Sequence, residues 1–211
     1  MAIPDAKLVL ASASPRRLSL IEQVGIYPDL LNPVDIDETQ RKRESPRALS
    51  LRLAREKAQA ARAAPLVRNL GEQVFVLAAD TVVEIDGDVL GKPANSQQAA
   101  VFLARLSERK HKVHTAVALV TGNNELSEIS SSEVEFTALS EQTIAAYVAT
   151  GEPLDKAGAY AIQGIAGQFV VNLNGSYSGV MGLPLYETAK LFSACGELAE
   201  FNFFIKKEYE Q

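Results

Sequence analysis

The chain has 211 residues, of which 47% are hydrophobic and 22% charged, and its formal net charge is −5. These fractions are ordinary for a globular protein and too apolar for a disordered chain. An acidic chain is a poor candidate for broad nucleic-acid binding, which needs many phosphate contacts. No apolar run approaches the roughly 18 residues of a membrane span, and the first residues lack the pattern of a signal peptide. A cytoplasmic protein is therefore expected.

Helices and strands are predicted in alternation, with hairpins between some of the strands. Apolar runs predict the strands, and Ser or Pro at the first positions predicts the helix starts. In chain order, the predicted elements are a strand over 8–11, a helix from Pro15 to Gly25, a helix over 46–63, a strand over 74–85, a turn at Asp86-Gly87 into a strand over 89–90, a helix over 96–106, strands over 113–120 and 133–137, a helix over 140–149, a strand over 168–173 and a helix over 184–195 stopped by Gly196. This order predicts a mixed sheet covered by helices.

Charge is unevenly distributed along the chain. Residues 1–70 carry 12 basic and 8 acidic side chains, a net +4, whereas residues 71–211 carry 9 basic and 18 acidic side chains, a net −9. A locally basic third could serve a small anion, and solvated surface charge explains it equally well.

Two serines and two arginines follow the first predicted strand. Ser12 and Ser14 precede the helix, and Arg16 and Arg17 lie in its first turn. Backbone N–H groups at a helix start attract anions, whereas arginines there oppose the helix dipole, so a bound anion would offset them. Arginine also binds two phosphate oxygens at once. The alternative is an ordinary capped helix with solvated arginines.

Carboxylates mark two further segments. Asp35, Asp37 and Glu38 lie within four residues and could hold a hard divalent cation, or could form a polar surface loop. Asp80, followed by Thr81, comes directly after the most apolar run. Strand ends are where open α/β sheets place their ligands, so Asp80 could bind a metal or accept a proton from water. The alternative is a turn cap.

Two lysines could supply cations to the same region. Lys57 lies eight residues after Leu49 and four residues after Leu53. The three residues share one stripe of a helix, so Lys57 points toward the body of the protein. Its stem could instead cover apolar surface while the ammonium stays in water. Lys92 lies on the loop after the predicted hairpin and could reach back as a second cation.

Several other features carry weak signals. His111 and His114 are three apart in a predicted strand, so they face opposite sides and are expected to be structural. The one cysteine, Cys195, excludes an intramolecular disulfide and a CxxC zinc site. The chain has no Walker P-loop, GxGxxG or GxSxG motif.

Taken together, these segments resemble the Maf family of nucleoside triphosphate pyrophosphatases over about residues 8–192. Any one motif would be weak evidence, but seven in order are specific. They are SASPRR (12–17), Asp37-Glu38, AREKA (54–58), AADTVV (78–83), GKP (91–93), EPLDKAGAYAIQG (152–164) and GSYSGVMGLP (175–184). One departure is Gly179, where a larger polar side chain is expected.

The resemblance implies an α/β fold with a central mixed, elongated and twisted sheet flanked by helices, in two lobes with a cleft between them, similar to inosine triphosphatase. Residues 1–211 would form one domain of this kind. It also implies hydrolysis of a nucleoside triphosphate to the monophosphate and pyrophosphate with a divalent cation, Mg²⁺ or Mn²⁺. Asp80 would be the proton acceptor.

Substrate choice in the family is associated with positions that fall on Arg16, Thr81 and Gln163. All three resemble the branch that prefers dTTP and UTP, rather than the branch that prefers 7-methyl-GTP. The implied partners are therefore these nucleotides, with modified pyrimidine nucleotides and a homodimer as open possibilities, and neither nucleic acid nor a membrane.

On this interpretation Lys57, Glu38 and Asp80 are catalytic, and Glu38 and Asp80 hold the metal. The expected substrate-binding residues are Ser12, Ser14, Arg16, Arg17, Thr81, Lys92, Asp155, Lys156 and Gln163. Two alternative functions remain open. One is a nucleotidyltransferase, which usually carries a Gly-rich loop that is absent here. The other is a nucleotide-sensing regulator of cell division without turnover.

Overall fold

The computed structural model describes residues 6–71, 73–122 and 124–195. Its strands are β1 (Lys7–Leu10), β2 (Leu30–Leu31), β3 (Val74–Ile85), β4 (Asp88–Leu90), β5 (Lys110–Thr121), β6 (Asn124–Phe136) and β7 (Val170–Asn174). Its helices are α1 (Pro15–Gln23), α2 (Pro46–Ala63), α3 (Pro65–Arg68), α4 (Ser96–Leu106), α5 (Glu141–Ala149), α6 (Tyr177–Met181) and α7 (Leu185–Ala194). Short 3₁₀ turns span Glu152–Asp155, Ala157–Ala159 and Ile165–Phe169.

The strands form one seven-stranded mixed sheet in the order β2-β1-β3-β5-β6-β7, and β4 pairs with β3. β1 is parallel to both β2 and β3. The pairs of β3 with β4 and β5, of β5 with β6, and of β6 with β7 are antiparallel. A mixed sheet flanked by helices is therefore confirmed. Within the described residues, no helix combines the length and the apolar character that crossing a membrane requires.

The core divides along β3, and this division creates two lobes. Leu77 packs with α1 and α7, and Val76 packs with α2 on the opposite face. Val83 and Ile85 belong to a different apolar cluster, with α4 and α5. Asp80 lies between these groups, so the cleft opens where the apolar pattern of the central strand is interrupted.

The predicted elements agree best where apolar periodicity is strong. The helices over 46–63 and 96–106 and the strand over 74–85 are confirmed at both ends. The strand predicted over 133–137 is wrong in extent, because β6 begins at Asn124. Its first half is rich in Ser and Glu and has no apolar pattern. Its hydrogen bonds to β5 hold it in the sheet.

Smaller differences lie at the chain's short elements. The predicted strand over 168–173 begins as a 3₁₀ turn and becomes β7 at Val170. The two-residue β2 and the short helices α3 and α6 were not predicted, since none is long enough to show a period. Gly196, predicted to stop the last helix, lies outside the described residues.

An ion pair between Glu44 and Arg52 connects the loop before α2 to that helix. Arg52 donates from Nε and Nη2 to the two carboxylate oxygens of Glu44, at 2.7 and 2.9 Å. Arg52 also donates to Glu56 at 2.9 Å and to the backbone oxygen of Thr39 at 3.0 Å. The hydrogen bonds from Arg52 lower the pKa of Glu44 to about 2. This pair holds the segment that carries Glu38.

The Glu44 pair predicts how stability depends on pH. Because the pKa of Glu44 falls from 4.5 to about 2 on folding, the ionised carboxylate stabilises the folded protein at pH values above the pKa that Glu44 has in the unfolded chain. This stabilisation is lost as the pH falls toward the pKa that Glu44 has in the folded protein. Glu44→Gln should therefore lower the free energy of unfolding at neutral pH and flatten its decline between about pH 5 and pH 3, in urea titrations. Glu22→Gln is the control, since Glu22 makes no ion pair within the described residues. A wild-type slope in Glu44→Gln would contradict the prediction.

Candidate active site

A cavity of about 480 Å³ opens between the lobes beside Asp80. Every residue predicted for the site lines it, although these residues come from distant parts of the chain. They are Ser12, Ser14, Arg16, Arg17, Glu38, Lys57, Asp80, Thr81, Lys92, Asp155, Lys156 and Gln163.

Lys57 joins two carboxylates at the cavity wall. Its Nζ lies 2.6 Å from Asp80 Oδ1 and 2.6 Å from Glu38 Oε1. The Lys57 side chain is 13% exposed and that of Asp80 is 8% exposed, whereas that of Glu38 is 54% exposed. Leu49 and Leu53 on the same stripe of α2 are buried, so the predicted inward direction of Lys57 is confirmed. One ammonium thus pairs with a buried and an exposed carboxylate.

The two carboxylates have opposite pKa shifts. Burial raises the pKa of Asp80, although Lys57 and Arg17 oppose the rise. Burial also acts to raise the pKa of Glu38, but the hydrogen bond from Lys57 and the charges of Lys57, Lys92 and Arg17 bring it below its ordinary value. Paired titratable groups whose pKa values are moved apart are typical of acid–base sites.

Arg17 connects three segments of the site. Its Nε donates to the backbone oxygen of Gly182 at 2.8 Å. Nη1 donates to Ser12 Oγ and Nη2 donates to Thr81 Oγ1, both at 3.3 Å. Burial lowers the pKa of Arg17, but the guanidinium keeps its charge. Arg17 therefore orients two hydroxyl groups and places a fixed positive charge in the wall.

Positive charge exceeds negative charge among the residues that line the cavity. Arg16 lies 3.7 Å from Asp155, which also contacts Lys156. The lining cations are Arg16, Arg17, Lys57, Lys92 and Lys156, against the carboxylates of Glu38, Asp80 and Asp155. A cleft lined in this way concentrates anions even though the chain as a whole is acidic.

One residue behind the site was missed by the sequence analysis. Thr115 is 1% exposed and faces Thr81 across the β3–β5 ladder. Its hydroxyl donates to the backbone oxygen of Gly179 at 2.7 Å and lies 3.1 Å from Thr81 Oγ1. Only the register of the two strands places Thr115 there, and no local pattern reveals that register.

The glycine at 179 fits its surroundings closely. Gly179 N–H donates to Ser176 Oγ at 3.0 Å. A Cβ at this position would lie 3.1 Å from Ser176 Cβ. A larger side chain would therefore require Ser176 to shift slightly.

The carboxylates predicted as possible metal ligands do not all face the cavity. Of the three carboxylates in segment 35–38, only Glu38 lines the cavity, while Asp37 Oδ1 accepts the Thr39 N–H at 2.9 Å. In the described part of the chain, no group of three or more His, Cys, Asp or Glu residues could hold a metal ion. A cation held by Asp80 and Glu38 would therefore need further ligands of another kind, such as water or substrate oxygens.

The two histidines make separate structural contacts, in agreement with their predicted separation. His111 Nε2 lies 2.8 Å from the Tyr160 hydroxyl. His114 lies 2.8 Å from both Ser131 Oγ and Glu84 Oε2.

Comparison with known proteins identifies the family. Residues 7–195 match the sequence model of the family described as Maf-like protein. The chain belongs to the Maf family. The dTTP/UTP pyrophosphatase of Hyphomonas neptunium is 52% identical over 193 residues, covering 91% of this chain and 97% of that protein. The dTTP/UTP pyrophosphatase of Nitrobacter winogradskyi is 53% identical over 186 residues, covering 88% and 90%.

Among solved structures, a HAM1 protein from Coxiella burnetii covers 62% of this Maf-family chain and 73% of its own chain. Its sequence identity is 19% and its TM-score is 0.38.

The pairing of Lys57 with Asp80 predicts a measurable contribution to stability. Lys57→Met should lower the free energy of unfolding by about 3 kcal/mol, because it leaves a buried carboxylate without a partner. The double variant Lys57→Met with Asp80→Asn should recover part of this loss. Lys190→Met is the control, because Lys190 pairs with Glu128 at the surface and should change stability by less than about 1 kcal/mol. Equal losses in the two lysine variants would contradict the prediction.

Proposed function

We propose that this protein hydrolyses dTTP and UTP at the bond between the α- and β-phosphates, releasing the monophosphate and pyrophosphate. The observation that carries the proposal is the Lys57 ammonium between Asp80 and Glu38 in a cavity lined mainly by cations. Curated relatives about half identical to this chain are named dTTP/UTP pyrophosphatase, which supports the same substrate pair. The reaction is assigned to a single domain over residues 1–211, in the cytoplasm.

Arg16, Lys92 and Lys156 would bind the triphosphate. Their charges lie around the cavity, and arginine and lysine are the usual partners of phosphate oxygens. Ser14 at the start of α1 makes no side-chain cap bond, and its own N–H donates to Ser12 Oγ at 3.1 Å. The first N–H groups of α1 are therefore available to phosphate oxygens.

Asp80 would accept the proton of the attacking water. Its raised pKa makes it a stronger base than an ordinary aspartate, and the base strength of a catalytic group is best near the working pH. Lys57 compensates its charge and fixes its direction through the 2.6 Å contact. Positioning and charge stabilisation supply most of the catalysis in phosphoryl chemistry.

Glu38 and Asp80 would hold a divalent cation that arrives with the substrate, through carboxylate oxygens other than the two that contact Lys57. Mg²⁺ is usually held by one or two carboxylates together with substrate phosphates, and two carboxylates meet at Lys57 Nζ. When bound, Mg²⁺ or Mn²⁺ would neutralise phosphate charge and lower the pKa of the attacking water.

Thr81 and Gln163 would contact the base. Gln163 is exposed at the cavity, and an amide can both donate and accept hydrogen bonds, as the edges of thymine and uracil require. Thr81 accepts from Arg17, so its oxygen is held in place.

Asp80→Asn tests the proposal directly. We expect pyrophosphate release from dTTP to fall by about 10²–10⁴-fold, while the melting temperature and circular dichroism spectrum stay close to wild type. Asp88→Asn is the matched control, because Asp88 is an exposed aspartate paired with Arg105 outside the cavity. Near-normal turnover by Asp80→Asn would exclude Asp80 as the base.

The same assay separates the alternative functions when dTTP is the only nucleotide and no second substrate is present. Pyrophosphate release under these conditions excludes a nucleotidyltransferase. Tight binding of dTTP without release would instead favour a nucleotide-sensing regulator.

A further inference from the structure

The loop that carries Gln163 is held by two side chains outside the cavity. Ala161, two residues before Gln163, donates its N–H to the Tyr147 hydroxyl at 3.3 Å. Ile165, two residues after Gln163, donates its N–H to Glu152 Oε2 at 3.1 Å. The N–H of Ala166 lies 3.4 Å from Glu152 Oε1. The backbone is therefore bonded on both sides of Gln163.

Tyr147 and Glu152 are themselves joined. The Tyr147 hydroxyl donates to Glu152 Oε1 at 2.8 Å. Tyr147 is 3% exposed, and its ring packs edge-on against Phe169 with centroids 5.2 Å apart. Neither Tyr147 nor Glu152 lines the cavity, so neither can contact a bound nucleotide there.

The Glu152 carboxylate bonds to Tyr147 and to the backbone of this loop. Within the described residues it forms no ion pair, and its hydrogen-bond donors are the Tyr147 hydroxyl and the two backbone N–H groups. Hydrogen bonds to a charged acceptor are stronger than those between neutral groups. Glu152 also begins the turn that leads to Asp155 and Lys156 at the cavity.

Gly164 shows how closely the carboxylate approaches the loop. A Cβ at position 164 would collide with the Glu152 carboxylate. Only glycine allows so close an approach, and it does so at the residue next to Gln163. The Glu152 carboxylate therefore lies directly against the backbone of the residue that follows Gln163.

We propose that Tyr147 and Glu152 are positioning residues that fix the backbone on both sides of Gln163 and thereby set how the enzyme discriminates between bases. The inference rests on the proposed function, in which the Gln163 amide meets the base. A displacement of about 1 Å is enough to lose the geometry of a productive contact. Loosening the loop should therefore weaken base recognition and leave Asp80, Lys57 and Glu38 in place.

Tyr147→Phe and Glu152→Gln test the inference by the ratio of kcat/KM for dTTP to that for dCTP. We expect the ratio to fall about tenfold in each variant, mainly through a higher KM for dTTP. Tyr147→Phe keeps the ring packing against Phe169, so it should stay folded even if Glu152→Gln does not. Ile144→Val, in the same helix and core, removes a methyl group without touching these hydrogen bonds and should keep the wild-type ratio.

A Gln163→Ala background separates positioning from general damage. If the pair acts through Gln163, adding Tyr147→Phe or Glu152→Gln to Gln163→Ala should change the ratio by less than about twofold. The same fold-change in both backgrounds would overturn the inference. An unchanged ratio in both single variants of an active enzyme would also overturn it.

Amide hydrogen exchange tests the backbone contacts without substrate. In Glu152→Gln, the amides of Ile165 and Ala166 should exchange faster than in wild type, and in Tyr147→Phe the amide of Ala161 should do so. Unchanged exchange in both variants would overturn the inference. A wild-type protein that releases no pyrophosphate from dTTP would contradict the proposed function, and exchange would still decide whether the pair holds the loop.

Discussion

The buried carboxylate of Asp80 is the constraint on which the rest of the site depends. A charge removed from water costs several kcal/mol unless it is paired, and Asp80 is buried at the end of an apolar run on β3. Lys57 supplies the pairing at 2.6 Å, and it reaches Asp80 because Leu49 and Leu53 orient α2 against the sheet. The same ammonium pairs with Glu38, whose loop is fastened to α2 by Glu44 and Arg52. The second helix thus positions both carboxylates.

Local charge matters more than total charge in this molecule. The chain has a net charge of −5, yet five cations and three carboxylates line the cavity. The positive excess in residues 1–70 contributes Arg16, Arg17 and Lys57, while the acidic remainder supplies Lys92 and Lys156. A triphosphate would therefore meet a basic cleft on an acidic protein, with the two carboxylates set where a cation can accompany it.

Residues whose signals are local could be predicted from the sequence, and residues whose roles depend on long-range pairing could not. The apolar run of β3 and the stripe on α2 predicted the places of Asp80 and Lys57. The polar half of β6 has no period, so only its pairing with β5 defines it. Thr115 depends on strand register, and the contacts of Tyr147 and Glu152 join α5 and the turn after it to a loop more than ten residues away. The motifs predicted the residues that line the cavity, but not the residues behind them that hold the lining in position.

Hydrolysis of dTTP in ¹⁸O-enriched water, with dTTP as the only nucleotide, tests the central claim most directly. Water that attacks the α-phosphorus leaves its oxygen on that phosphorus. Mass spectrometry should therefore find one ¹⁸O atom per turnover in thymidine monophosphate and none in pyrophosphate. Label in pyrophosphate, or release of inorganic phosphate in place of pyrophosphate, would contradict attack at the α-phosphorus and with it the role given to Asp80.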